Sequence, residues 1–257
     1  MYKIAFFDVD GTLLNTEQKV PQSTIEAIQQ LKHKGIEPVI ATGRPPYHMQ
    51  ELAEEIGITS SINVNGGIVI YQGEVLFENP LQKRAIDNAV EIAGVHGHPL
   101  IFCGLNDSYA TVKDNDTINN IFDFFHWKAP LFDPAYYQQH PVYQIQAFCT
   151  PESRDAYQSL SHVRTYPWSI KSIGFDILPA GNSKASAIDQ LLGHLRLTRE
   201  ESIAFGDGFN DVEMIQAVGL GIAMGNAKEV LKEHADYVTK SVDEDGIFHA
   251  LQALSIV

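Results

Sequence analysis

The sequence is poor in positive charge. Over 257 residues, 18 lysines and arginines face 32 aspartates and glutamates, for a formal net charge of −14. Such a chain repels nucleic-acid backbones and anionic membrane surfaces, so neither is expected as a partner. It also repels anionic small molecules, so any phosphate site must be made locally positive. Cysteine is scarce too. Cys103 and Cys149 are too few for a disulfide framework and read as free, partly buried thiols in a reducing compartment. No apolar run approaches the ~20 residues of a membrane span. Met1-Tyr2-Lys3 runs straight into an apolar strand, leaving no room for a leader, and the expectation is a soluble cytoplasmic protein. The histidines lack zinc-type spacing, and His96 and His98 lie beside a Gly/Pro turn.

What is present is a composition 44% hydrophobic and 19% charged, enough apolar mass for one large domain or two modest ones. The organising stretch is Phe6-Phe7-Asp8-Val9-Asp10-Gly11-Thr12. Ile4 to Phe7 is a short apolar run of the kind a fully buried strand needs. Two carboxylates then follow, two residues apart. If strand geometry persists to Asp10, Asp8 and Asp10 point the same way past the strand's C-terminal edge, where open α/β sheets bind ligands. Acids held that close repel unless a hard cation such as Mg²⁺ sits between them or one is protonated.

Downstream, Ser23 is expected to cap a helix carrying Ile25, Ile28 and Leu31 and ending at Gly35. Glu37 to Ala41 reads as a strand, Met49 to Ile56 as a helix, and Ile62 to Val64 as a third strand. Strand–helix alternation implies right-handed crossovers and a parallel sheet. Ile68 to Tyr71 and Val75 to Phe77 suggest a hairpin. From about Gln82 the texture changes to short strands, helices and an aromatic stretch, with a helix expected over Glu152 to Leu160. At Lys184 the first texture resumes, with strands at Ser202 to Phe205 and Leu220 to Ala223 and a last helix running to His234. The expected architecture is α/β: a Rossmann-like parallel-sheet core from 1–81 plus 184–257, with an α+β domain, 82–183, inserted.

Four clusters carry the chemistry. Asp8 offers a nucleophile and Asp10 an acid/base group. Thr42 follows a strand directly, and with the backbone of Gly43 it can bind a phosphoryl oxygen. Lys184 opens a helix after Gly181-Asn182-Ser183, where the helix's positive end and the ammonium together neutralise an anion. Gly206-Asp207-Gly208-x-Asn210-Asp211 again places carboxylates after an apolar strand. Asp207 can complete an oxygen-ligand Mg²⁺ site, Asn210 and Asp211 can orient ligands, and Asp211 is also expected to cap the helix from Val212. Arg44, Tyr47 and His48 follow the second cluster closely enough to face a substrate.

In this order the clusters resemble the four motifs of the haloacid dehalogenase (HAD) superfamily, and the insert resembles the C2 cap of its Cof-type phosphatases. The resemblance spans the whole chain. Ala185 is a local departure, since relatives often carry glycine after the lysine. The resemblance implies that Asp8 attacks phosphorus to form an aspartyl-phosphate. Asp10 then protonates the leaving alcohol and activates the hydrolytic water. Mg²⁺ is implied on Asp8, the backbone carbonyl of Asp10, and Asp207. Val9, Thr42, Gly43, Lys184 and Asn210 are implied at the phosphate, with Gly11, Thr12, Arg44 and Asp211 in support. The substrate class implied by the resemblance is a small phosphorylated metabolite such as a sugar phosphate. A phosphomutase and a phospho-accepting signalling module use related residues and stand as alternatives. Nothing in the sequence specifies an oligomeric state.

Overall fold

Four consecutive apolar residues, all fully buried, make β1 (Ile4–Phe7). In this computed structural model, which describes residues 1–168 and 173–257, that strand lies inside an eight-stranded sheet. The chain continues through α1 (Gln22–His33), β2 (Glu37–Ala41), α2 (Gln50–Ile56), β3 (Ser61–Asn63), β4 (Ile68–Tyr71) and β5 (Glu74–Glu78). Next come α3 (Lys83–His96), β6 (Leu100–Cys103), β7 (Ser108–Ala110), α4 (Asp116–Phe124), β8 (Leu131–Phe132), β9 (Gln144–Phe148), β10 (Val163–Pro167) and β11 (Gly174–Pro179). The last stretch holds α5 (Lys184–Leu195), β12 (Ser202–Gly206), α6 (Val212–Gln216), β13 (Leu220–Ala223), α7 (Glu229–Lys232), β14 (Tyr237–Val238) and α8 (Gly246–Ala253).

Two units result. The first holds Met1–Arg44, Met49–Phe77 and Ser183–Val257, and the second Pro45–His48 and Glu78–Asn182. In the first, the sheet order is β14-β13-β12-β1-β2-β3-β4-β5. The pairs from β14 to β3 are parallel and β3–β4 is antiparallel. Both neighbours of β1 run alongside it in register: Phe7 lies opposite Phe205 on β12 and Ile40 on β2. The Phe7 and Phe205 rings stack at 5.0 Å. Ala27, Ile28 and Leu31 of α1 and Ile188 and Leu191 of α5 are buried in the core built on this sheet.

The second unit has a six-stranded sheet, β10-β11-β9-β6-β7-β8, antiparallel except for the β7–β8 pair. Side chains alternate across it. Leu100 and Phe102 join a cluster with Ile86 and Ala89 of α3, while Ile101 and Cys103 join Ile118 and Phe122 of α4. On β9 and β11, Gln146 and Asp176 are paired in register and alternate with Ile145 and Ile177, which lie in the α3 cluster. Pro45–His48 belongs to this unit, and the His48 ring stacks on Trp127 at 4.1 Å.

Some local expectations change. Pro21, not Ser23, precedes α1, and the Ser23 hydroxyl instead donates to Asp245 at 2.5 Å. The third strand ends at Asn63, and Val64–Gly66 forms a tight turn. The segment Pro151–Ser159 is 3₁₀ rather than α-helical. Only its Tyr157 is buried, so no apolar stripe rewards the α-helical period. The helix expected to reach His234 is the short α7.

Candidate active site

Because β1, β12 and β2 are parallel and end within one residue of one another, the residues that follow them, Asp8, Asp207 and Thr42, emerge at one edge of the sheet. Lys184 reaches the same place from the first turn of α5. That turn is closed by a reciprocal cap: the Ser183 hydroxyl accepts the Ser186 N–H at 3.1 Å, and the Ser186 hydroxyl accepts the Ser183 N–H at 3.0 Å. The Lys184 side chain is fully buried, and its Nζ donates to Asp8 Oδ1 at 2.5 Å and to Asp211 Oδ1 at 2.6 Å. Asp211 Oδ2 accepts the N–H groups of Asp207 at 3.0 Å and Gly208 at 2.8 Å. Asp211 therefore does not cap α6 with its side chain, contrary to the sequence expectation. A buried ammonium and the two turn amides hold it more strongly than a helix end would.

Asp207 Oδ1 accepts the Thr12 hydroxyl at 3.4 Å. Gly11 runs at φ +86°, and a Cβ there would collide with the Asp207 carboxylate, so only glycine fits. The Gly11 carbonyl accepts from Asn226 Nδ2 at 2.8 Å. The Val9 carbonyl closes the turn by accepting the N–H groups of Leu13 and Leu14 at 3.0 and 2.8 Å.

Carboxylate oxygens of Asp8, Asp207 and Asp211 all lie within 4.8 Å of one another. Three acids thus share one ammonium. Burial, then the charge of Asp211, pushes the Asp8 carboxyl well above its ordinary range, against the pull of Lys184. Burial and Asp211 likewise push Asp207 up to about 7. For Lys184, burial opposes the charge, but Asp211 and Asp8 outweigh it and keep the ammonium protonated. The pocket is short of positive charge and its free donors are hard oxygens, a set that suits Mg²⁺.

Asp10 behaves differently. Strand β1 stops at Phe7, so alternation does not carry Asp8 and Asp10 to one side. The Asp10 side chain is 48% exposed and outside the acidic cluster. Arg44 grips it in a fork, Nε to Oδ2 at 2.9 Å and Nη2 to Oδ1, while Nη2 also donates to Gln18 Oε1 at 3.0 Å. The buried Thr42 hydroxyl accepts the Arg44 N–H at 3.1 Å. Tyr47 and His48 belong to the other unit and are not part of this cluster.

One participant was not expected. Asn65, 3% exposed, accepts from Asn210 Nδ2 at 2.9 Å through its Oδ1, and its side chain lies against Gly43. An Asn-Gly pair after the third strand of a parallel sheet is the signal that could have found it, but that pair also reads as an ordinary turn.

Residues 5–251 match the haloacid dehalogenase-like hydrolase family. YkrA of Bacillus subtilis (strain 168), whose name carries a provisional phosphatase assignment, is 36% identical over 255 residues, 99% of this chain and 98% of the relative. A hypothetical protein of Geobacillus kaustophilus superposes with a TM-score of 0.93 at 38% identity over the whole of both chains. A HAD subclass IIB sugar phosphatase superposes with a TM-score of 0.88 at 32% identity, over 99% of this chain and 100% of the other.

Proposed function

The chain belongs to the haloacid dehalogenase-like hydrolases, and from that premise we propose that it is a Mg²⁺-dependent phosphatase of small phosphomonoesters, sugar phosphates foremost. The enzyme class follows from the family and its phosphatase relatives; the metal, the substrate class and the residue roles are the proposal. One observation carries it: a buried lysine bridges two carboxylates, with a third beside them, at the ends of adjacent parallel strands. An excess of acid around one ammonium is stable when a cation and a phosphoryl group enter together.

Asp8 and Asp207 would hold the Mg²⁺, with any contact from Asp10 falling to its backbone carbonyl, because its carboxylate lies elsewhere. When bound, the cation supplies positive charge to the phosphoryl oxygens and to the ionised form of Asp8. Asp8 Oδ attacks phosphorus, the bond to the leaving oxygen breaks, and an aspartyl-phosphate forms. Asp10 gives its proton to the leaving alcohol and then takes one from the water that attacks the intermediate. For this it must exchange its hold on Arg44 for the substrate oxygen. Thr42, the Val9 and Gly43 backbone, Lys184 and Asn210 hold the phosphoryl oxygens. Asp211, saturated by Lys184 and two amides, positions the lysine rather than the metal. Choice among leaving groups is assigned to the inserted cap unit. A cytoplasmic location is also part of the proposal, supported by two buried cysteines, both free thiols.

Phosphate release from p-nitrophenyl phosphate and from a panel of sugar phosphates tests the reading. Wild type should turn over, EDTA should stop it and Mg²⁺ restore it. Asp8→Asn should lose at least about 10⁴-fold in kcat, the scale on which removing a nucleophile acts. Full activity in chelator rejects the metal, and an active Asp8→Asn rejects the nucleophile.

A further inference from the structure

The turn after β3 is strained in a way that its place in the sheet does not require. Val64, Asn65 and Gly66 all have positive φ, 45°, 50° and 96°. A β-branched residue in that region is a true outlier, and such strain persists only where the surroundings enforce it. Here the surroundings are the site. The Asn65 N–H donates to the Thr42 carbonyl at 3.0 Å. The Val64 N–H and Asn63 Nδ2 both donate to the Arg44 carbonyl at 3.2 Å. Gly66 lies so close to the Ser183 carbonyl that any side chain would collide with it, which seats the turn against the cap that aims Lys184. One short turn thus touches the loops bearing Thr42, Lys184 and Asn210.

We propose that Asn65 is a positioning residue for phosphoryl binding, acting through Asn210 and through the turn of Thr42 and Gly43. The inference rests on the phosphatase reading. A residue needed only for its left-handed backbone could turn its side chain to solvent. Asn65 instead buries its amide, presses it on Gly43 and uses Oδ1 to hold Asn210 Nδ2. Asn210 stands on a single 3₁₀ turn, and among the described residues the bond to Asn65 is the one hydrogen bond that holds its amide. With one N–H committed to Asn65, the amide plane is held and the other N–H is left for an incoming phosphoryl oxygen. That is preorganisation of a donor before the ligand arrives.

Asn65→Gly separates the two roles, because glycine adopts the same φ freely but offers no acceptor. It should melt within about 3 °C of wild type. It should weaken inorganic phosphate binding, measured calorimetrically, by about tenfold, the worth of one hydrogen bond, and lower kcat/KM for p-nitrophenyl phosphate by about as much. Asn65→Ala should show the same losses and also melt lower, since alanine strains at that φ. In an Asn210→Ala background, Asn65→Gly should add less than about a twofold loss. Phosphate affinity and kcat/KM at wild-type level in Asn65→Gly overturn the proposal. So does an undiminished loss in the Asn210→Ala background. If wild type binds phosphate but hydrolyses no phosphomonoester, the phosphatase reading fails, while the Asn65–Asn210 coupling in phosphate binding still decides this inference. Failure of wild type to bind phosphate overturns both.

Discussion

Replacing Asp176 by asparagine should stabilise the protein, and by an amount that depends on pH. Asp176 lies on β11 of the inserted unit, 7% exposed, its Oδ1 accepting from Trp168 Nε1 at 2.9 Å. Burial pushes its carboxyl from the ordinary 3.8 up to about 7, and the hydrogen bonds from Trp168 and Gln144 only partly oppose this. Below pH ~4 the group is protonated in the folded and the unfolded chain, and no penalty exists. Between that value and about 7 the folded chain keeps a proton that the unfolded chain has released, so stability falls as pH rises. Above about 7 the loss is complete. Three units at roughly 1.4 kcal/mol each amount to about 4 kcal/mol at pH 8, about 1.6 kcal/mol at pH 5 and almost nothing at pH 3. Asparagine never ionises, and it still accepts from Trp168. Its NH₂ can donate to Gln144 Oε1, which has no hydrogen-bond partner among the described residues. Thermal unfolding in EDTA at pH 5 and pH 8 reads the effect, and at pH 8 the variant should melt on the order of 10 °C higher. Taking variant minus wild type at each pH cancels the titration of Asp8 and Asp207. A stabilisation of equal size at both pH values, or a variant less stable at pH 8, would refute a buried carboxyl titrating near neutrality.

Asp10→Ala should lose at least ~10²-fold on a sugar phosphate, whose alkoxide needs a proton, but far less in the first step with p-nitrophenyl phosphate. Stopped-flow on the aryl ester should then show a burst of p-nitrophenol followed by slow turnover; equal small losses on both esters with no burst would remove Asp10 from acid–base chemistry. Lys184→Met leaves buried Asp8 and Asp211 without their ammonium and should cost about 3–5 kcal/mol at pH 8. The deficit should shrink at pH 5, where the raised carboxyls of Asp8 and Asp207 take up protons, and urea unfolding at the two pH values checks it.

The acidic pocket was readable because each of its strands announces itself. Ile4 to Phe7 and Ser202 to Phe205 are short apolar runs ending in Asp-rich turns, and a parallel sheet brings such ends together wherever they lie in the chain. Lys184 was singled out by position alone, opening a helix after Gly181-Asn182-Ser183, since a lysine by itself usually reads as a solvated surface residue. The condition that strand geometry persist to Asp10 is not met, because β1 ends at Phe7, and no local signal in the sequence marks that end. The Arg44–Asp10 pair spans 34 residues and depends on the turn between them, so composition could not show it. Asn65 looks like a turn residue until its φ and its burial are known. Helix α4 carries Ile118, Ile121 and Phe122 at helical spacing behind an Asn115 cap, but the density of aromatics around it hides the period.

The in-register placement of β1 between β2 and β12 also fixes an order of events during synthesis. Thr12 and its partner Asp207 are separated by 195 positions. At ~5–20 residues per second, the ribosome takes on the order of ten to forty seconds to deliver the second after the first. Throughout that interval β2 can pair with β1, but the other side of β1 is an open apolar edge, the kind that recruits strands from other chains. The insert, whose strands are close neighbours in the chain, can complete its sheet within the same wait. The nascent protein therefore carries a finished second unit and an unfinished first one until β12 arrives. Chaperone dependence should track the delay of β12, and a circular permutant in which β12 and β13 are synthesised earlier should aggregate less during translation.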